Sequence, residues 1–159
     1  MPAGSAVTCR LFEAEDLPAL FAVEEVCFPP SVRFSRALTR SLTIDPHCHT
    51  WIGIVDNIRA GFAMVGLRGE DEPTTAYIWT IEVLPAFRRM GVATSLLECA
   101  VVSAREAGCA AIALHVDEKN QNAIALYERA GFVQTGIDFE FYGHGQNALC
   151  YRRDLSAGR

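Results

Sequence analysis

Tyr77-Ile78-Trp79-Thr80-Ile81-Glu82-Val83-Leu84-Pro85-Ala86-Phe87-Arg88-Arg89-Met90-Gly91-Val92-Ala93-Thr94 runs from an apolar stretch through a basic pair into a turn of small residues. β-Branched and aromatic side chains dominate 77–84, which reads as a buried strand. Pro85 ends it, because proline cannot donate to a ladder. From Ala93 to Ala107 few helix breakers occur, and Leu96, Leu97, Ala100, Val101 and Ala104 fall on one helical face. A strand, a small-residue turn and a helix start together hold anions. The first N–H groups of a helix lack intrahelical partners and carry the positive end of its dipole. Gly91 and Ala93 let a polyphosphate approach the backbone, and Arg88 or Arg89 adds charge-assisted contacts. Neither Gly-Lys-Ser/Thr nor Gly-x-Gly-x-x-Gly, the signatures of two other phosphate loops, occurs in this stretch.

The chain around it has 159 residues, half of them apolar, and a net charge of −5. That length suits one domain, able to bury roughly 70% of its unfolded surface. The acidic balance argues against nucleic acid as a partner. No run is long enough to span a bilayer, and no basic-then-apolar leader opens the chain, so a cytoplasmic protein without a membrane partner is expected. Six cysteines lie scattered without Cys-x-x-Cys spacing, so free, buried or half-buried thiols are expected rather than a metal or redox motif. His47-Cys48-His49 likewise lacks the spacing of a closed metal site, and no metal is expected.

Outward from the centre, Met1–Ala6 reads as a loose terminus and Val7–Leu11 as a first strand. Glu13–Cys27 reads as a helix whose apolar side is Leu17, Leu20, Phe21 and Val26, with Asp16 and Pro18 in its first turn. Cys27-Phe28-Pro29-Pro30 breaks it. A short helix is expected over Ser35–Leu42, then a hairpin of Trp51–Val55 and Ala60–Leu67 around Asp56-Asn57, and a polar loop over Gly69–Pro73. Gly108 caps the central helix. Ala111–Val116 is a second buried strand and Asn120–Ala130 a helix stopped by Gly131. Phe132–Gln134, Ile137–Tyr142 and Ala148–Leu155 read as closing antiparallel strands.

Arg88-x-x-Gly91-x-Ala93 resembles the Arg/Gln-x-x-Gly-x-Gly/Ala signature of the GNAT N-acetyltransferase superfamily. Asn120-x-x-Ala123-x-x-Leu126-Tyr127, followed by Gly131-Phe132, resembles that family's second signature. The resemblance covers about residues 7–155. It implies an α/β fold, the acyl-CoA N-acyltransferase fold, with a mixed central sheet of about six to seven strands flanked by about four helices in a single domain. It also implies acetyl-CoA as cofactor. Within that family the chain is most similar to protein N-terminal acetyltransferases of the RimI and NatE kind: Leu114-His115-Val116, Tyr77-Ile78-Trp79-Thr80 and Phe28-Pro29 resemble NatE segments, whereas RimI enzymes carry Leu-Glu-Val at the first. A second proline after Phe28-Pro29, and Phe141-Tyr142 in place of Tyr-Tyr, depart from that pattern.

By this resemblance Tyr77 and His115 move the amine proton, and Tyr127 protonates or hydrogen-bonds the leaving sulfur. Ile81, Glu82, Val83, Arg88, Arg89, Met90, Gly91, Val92, Ala93 and Thr94 meet the cofactor, largely through backbone, with Asn120, Ala123 and Tyr127 along its pantetheine arm. Phe28, Pro29, Val32, Tyr77, His115 and Tyr142 line the acceptor pocket. Glu82 is the alternative base, unless it faces solvent. Alternation along the strand would place Tyr77, Trp79, Ile81 and Val83 on one face unless a bulge intervenes. Amide formation needs a neutral amine. At pH 7 this costs roughly 1.4 kcal/mol for an α-amine of pKa near 8 and about 4.6 for a lysine. An imidazole base suits the first task better, so the expected acceptor is a peptide or protein N-terminus. A small amine (amino acid, polyamine or drug) and a non-catalytic acyl-CoA sensor are the alternatives, and either a monomer or a homodimer is compatible.

Overall fold

Local sequence signals set most element boundaries in the computed structural model, which describes residues 6–68 and 74–155. The strands are β1 (Val7–Leu11), β2 (Cys48–Val55), β3 (Ile58–Gly66), β4 (Thr75–Val83), β5 (Ala111–Asp117), β6 (Val133–Gly143) and β7 (Gln146–Asp154). The helices are α1 (Leu17–Cys27), α2 (Arg36–Ile44), α3 (Val92–Glu106) and α4 (Gln121–Arg129), with single 3-10 turns at Ala14–Asp16 and Pro85–Phe87. Ser35 caps α2 by accepting the Leu38 N–H at 3.0 Å. Asn120 caps α4 by accepting the Ala123 N–H at 3.2 Å. Asp56 and Asn57, at φ 51° and 65°, make the two-residue hairpin turn between β2 and β3.

The seven strands form one mixed sheet in the order β1-β2-β3-β4-β5-β7-β6. Every neighbouring pair is antiparallel except β4–β5. The expected α/β architecture is therefore present, with four helices. Helix α3 lays Leu96, Leu97, Ala100, Val101 and Ala104 on one side of the sheet, all buried. There Leu97, Ala100, Val101 and Ala104 meet Ile78 of β4 and Ile112 and Leu114 of β5, while Leu96 packs with Val55, Ala63 and Val83. On the other side Leu20 and Val23 of α1 and Leu42 of α2 cover Ile52, Phe62 and Met64.

Three expectations change. The segment before α1 is a 3-10 turn rather than part of one helix. Val26 is 58% exposed, since six residues past Leu20 it lies about 240° round the helix; Val23 takes its place in the core. Phe132–Gln134 and Ile137–Tyr142 belong to the single strand β6, whose register slips between Gln134 and Gly136 and again between Asp138 and Gly143. The expected loose residues 1–5 and the polar loop Gly69–Pro73 lie outside the described residues.

Asp16, fully buried, joins β1, β3 and the turn before α1. Arg10 donates to both its oxygens at 2.8 Å, Arg59 donates at 2.5 Å, and the Glu13 N–H donates at 2.7 Å.

Candidate active site

Strands β4 and β5 pair only from Thr75–Ala111 to Ile78–Leu114. Beyond that point β4 stays with β3 as far as Val83, while β5 stays with β7 as far as Asp117. The sheet therefore splits at its middle, and backbone groups of 79–83 and 115–117 face the gap without a strand partner across it. A slot lined by free amides and carbonyls can take an extended, amide-bearing ligand as a substitute strand.

A bulge lies beside the split. Met64 pairs with Thr80 and Val65 with Ile78, so Trp79 is the extra residue. The expected single face of Tyr77, Trp79, Ile81 and Val83 is thus divided. Ile81 and Val83 pack toward α3. Glu82 moves to the α1 side, the side on which Tyr77 and Trp79 stand.

At the start of α3, Gly91 is the N-cap residue with φ 87° and no side-chain cap. A Cβ there would be strained by the backbone angle although it would touch nothing within 4 Å. The first intrahelical bond formed here is Ser95 N–H to Gly91 C=O at 3.0 Å. The amides of Val92, Ala93 and Thr94 precede it and lack intrahelical partners. This cradle fits the diphosphate of coenzyme A, because a dianionic group supplies acceptors where the helix has spare donors. Met90 packs half-buried beneath the turn. Arg88 folds back, its Nε donating to the Val83 carbonyl at 3.0 Å. The Cys27 thiol donates to the same carbonyl at 3.5 Å. That carbonyl is engaged within the protein, and Arg89 has no such tie among the described residues.

Across the split, α4 presents Tyr127 from its inner face. Its ring meets Phe132 edge-on at 5.8 Å. Its hydroxyl has no hydrogen-bond partner among the described residues. Burial pushes this phenol's pKa upward, so it keeps its proton. The Asn120 carbonyl oxygen is spent on the cap described above, and Ala123 is half-buried beside the core.

On the α1 side of the split, Tyr77 Oη lies 2.8 Å from His115 Nδ1. His115 Nε2 lies 2.6 Å from Asp138 Oδ2. Phe141 stacks on the imidazole at 4.0 Å with an interplanar angle of 9°. Burial pushes the Tyr77 phenol up to about 12. Phe34 meets Trp79 edge-on, and Trp79 meets Tyr77. Tyr142 sits edge-on to Phe141 at 4.9 Å, its own pKa pushed up mainly by burial. A row of ring contacts from Phe34 to Tyr142 therefore runs through the Tyr77–His115 pair, with Trp79 and Phe141 themselves exposed. Of the expected acceptor residues, Phe28 and Val32 are half-buried and Pro29 is exposed on the loop after α1. Arg33 pins that loop by donating to the Phe28 carbonyl at 3.0 Å and 3.2 Å.

Glu82 does not face solvent. It is 3% exposed, accepts from Thr80 Oγ1 at 2.8 Å, and lies against buried Glu24. Burial and that second carboxyl push its pKa far above the carboxylate range. One oxygen on each acid has no donor, and a proton held on Glu82 satisfies both.

Asp138, Phe34, Trp79 and Phe141 were not among the residues expected at the site. The sequence signal for Asp138 was a carboxylate amid the apolar Ile137, Phe139 and Phe141 of an edge strand. Cys109 donates to the Leu67 carbonyl at 3.3 Å, and burial pushes its thiol up. Burial likewise raises Cys99, which lies against Cys9, so neither offers an activated nucleophile. Cys48 points into the core, whereas His49 Nδ1 lies 2.9 Å from Ser103 Oγ, so that triplet does not converge. The ligand-type atoms of His115, Asp138 and Cys150 lie within 4.8 Å of one another, a closeness accounted for by their hydrogen bonding.

The chain matches the model of the acetyltransferase (GNAT) family over residues 14–132. It is 32% identical over 73 residues to N-alpha-acetyltransferase MAK3 of Arabidopsis thaliana, covering 46% of this chain and 38% of that protein. It is 33% identical over 102 residues to mycothiol acetyltransferase of Propionibacterium freudenreichii, covering 59% of this chain and 33% of that protein. The chain thus spans roughly a third of the length of these curated relatives. The structure of Arabidopsis thaliana NAA60 in complex with acetyl-CoA shares the fold at a TM-score of 0.84 and 21% identity, covering 95% of this chain and 99% of that one. Among the described residues no helix is long and apolar enough to cross a membrane.

Proposed function

Since the chain belongs to the GNAT family of acetyltransferases, whose cofactor is acetyl-CoA, we propose that it acetylates the α-amine of a peptide or protein N-terminus, as RimI- and NatE-type enzymes do. The observation that carries this is the 2.8 Å contact of Tyr77 with His115 beside the split in the sheet. An imidazole there can take the proton of an α-amine at modest cost, as the pKa difference from lysine argues. Glu82, neutral and buried under α1, leaves that work to His115.

When bound, acetyl-CoA supplies the acetyl group as a thioester. The amides of Val92, Ala93 and Thr94 would grip its diphosphate, with Arg89 adding charge and Ala123 and the Asn120 amide flanking the arm. His115 Nδ1 accepts the amine proton through Tyr77 Oη, directly or by way of a water. Tyr127 Oη, protonated and without an internal partner, gives a hydrogen bond or a proton to the departing sulfur. The rings of Phe34, Trp79, Phe141 and Tyr142, with Phe28 and Val32, exclude water from the amine and suit an apolar first residue.

A panel of peptides differing in their first two residues, run beside free amino acids, polyamines and lysine side-chain amines, tests the reading by thiol release. We expect kcat/KM for the best peptide to exceed that for every small amine by at least about tenfold. A polyamine or a free amino acid outpacing all peptides would overturn it in favour of small-molecule acetylation. No turnover across the panel with tight cofactor binding would point to a sensor.

Tyr127→Phe should lower kcat about 10–50-fold while the Kd for acetyl-CoA, read by calorimetry, changes less than about twofold. The ring stays and only the acid is lost. Equal losses in both would reject its role as acid.

A further inference from the structure

We infer that Asp138, on β6, is a positioning residue that holds the imidazole of His115 in a single tautomer, Nε2 protonated and Nδ1 open to Tyr77; this rests on His115 serving as the base. A neutral imidazole has two tautomers, and the partner of one nitrogen decides the other. Ionised, Asp138 can only accept. At 2.6 Å from Nε2, its oxygen requires the hydrogen to sit on that nitrogen. Nδ1 is then a lone pair, and the Tyr77 hydroxyl 2.8 Å away must donate to it. The chain of donors therefore has one direction, from Tyr77 toward His115. Reversing the tautomer would leave Nδ1–H facing a phenol and the lone pair of Nε2 facing a carboxylate.

Ring orientation is held as well. Phe141 lies flat on one face of the imidazole at 4.0 Å. His115 pairs with Cys150 on β7, and Cys150 pairs with Gly136 on β6. Gly136 has no side chain to intervene, and Asp138, two residues on, reaches across. The groups facing the ring are Tyr77 from β4, Cys150 from β7 and Asp138 from β6. Burial keeps the Tyr77 phenol and the Cys150 thiol neutral. The hydrogen bond from His115 holds Asp138 below the ordinary carboxylate range. Asp138 is thus the charged neighbour of the ring. At 53% exposure it is a partner solvated enough to hold its charge cheaply, while His115 is 20% exposed.

The test uses the full chain labelled with 15N-histidine, in wild type, Asp138→Asn and Asp138→Glu, with imidazole nitrogen shifts recorded at a pH where the ring is neutral. Wild type and Asp138→Glu should show Nε2 protonated and Nδ1 unprotonated. Asp138→Asn, which can donate as well as accept, should show both tautomers or the reverse one. In parallel, kcat should fall about tenfold in Asp138→Asn, with the KM for acetyl-CoA within about twofold, and recover in part in Asp138→Glu. The rising limb of its pH profile should move relative to wild type. The same tautomer in wild type and Asp138→Asn would overturn the inference whatever the rates. An altered tautomer with an unaltered kcat would instead leave Asp138 its hold on the ring and remove His115 from the role of base.

Discussion

His115→Ala should lower kcat by about 10²–10³-fold, roughly 2.7–4 kcal/mol of barrier, with acetyl-CoA affinity within about twofold of wild type. The size follows from what a positioned base contributes, and the selectivity follows from geometry. His115 stands on the Tyr77 side of the split, whereas the diphosphate cradle is built from backbone at the start of α3. Steady-state kinetics with a fixed peptide and calorimetry with acetyl-CoA separate the two quantities. Wild type should show two ionisations on the rising limb of its kcat/KM profile, one from the amine and one from the protein. The variant should retain only the amine's, near pH 8 for an α-amine. An unchanged profile, or equal losses in kcat and cofactor binding, would remove His115 as the base. Phe141 and Tyr77 still wall the site in the variant, so loss of the whole fold is not expected.

Asp16→Ala should destabilise the protein by about 3 kcal/mol, read by urea unfolding. Asp16 is fully buried and receives hydrogen bonds from two guanidinium groups and one backbone N–H. Removing it leaves Arg10 and Arg59 without their shared anion. Both arginines remain partly exposed, so water recovers part of the loss and the figure sits at the lower end for a broken buried pair. The hydrogen bond from Arg10, helped by Arg59 and the Glu13 amide, holds the Asp16 pKa well below the usual carboxylate value. A depressed folded pKa contributes stability that is full above about pH 4, the unfolded value, and is lost as pH falls through the folded one. Wild type should therefore lose stability steadily below about pH 4, and Asp16→Ala should show a shallower decline there. A variant within about 1 kcal/mol of wild type would show that this junction is not what ties β1 and β3 to α1.

Elements whose signals are local were legible in advance. The strand ending at Pro85, the glycine before α3, the caps at Ser35 and Asn120, and the Asp56-Asn57 turn all depend on residues within four positions of one another. The apolar stripe of α3 is likewise a property of period. Motif resemblance singled out Tyr77, His115 and Tyr127, of which the first two meet at 2.8 Å. What failed depended on small shifts of phase. The bulge at Trp79 puts Glu82 under α1, and no pattern in 77–84 announces it, because an alternating apolar strand looks the same with or without one extra residue. The slips in β6 let Asp138 and Phe141 both reach His115, although the local sequence read as two strands.

By itself, then, the order of residues determined the family and the helix that offers its amides to an anion. Only the folded sheet decided which carboxyl matters. Glu82 lies on the motif strand but is buried, where burial and Glu24 push its pKa upward. Asp138 lies 23 positions from His115 in the chain, yet strand β7 places it within 2.6 Å of the ring. Charge state and partnership depend on burial and on contacts between distant strands, which are energies of the packed chain rather than properties of any short segment of it.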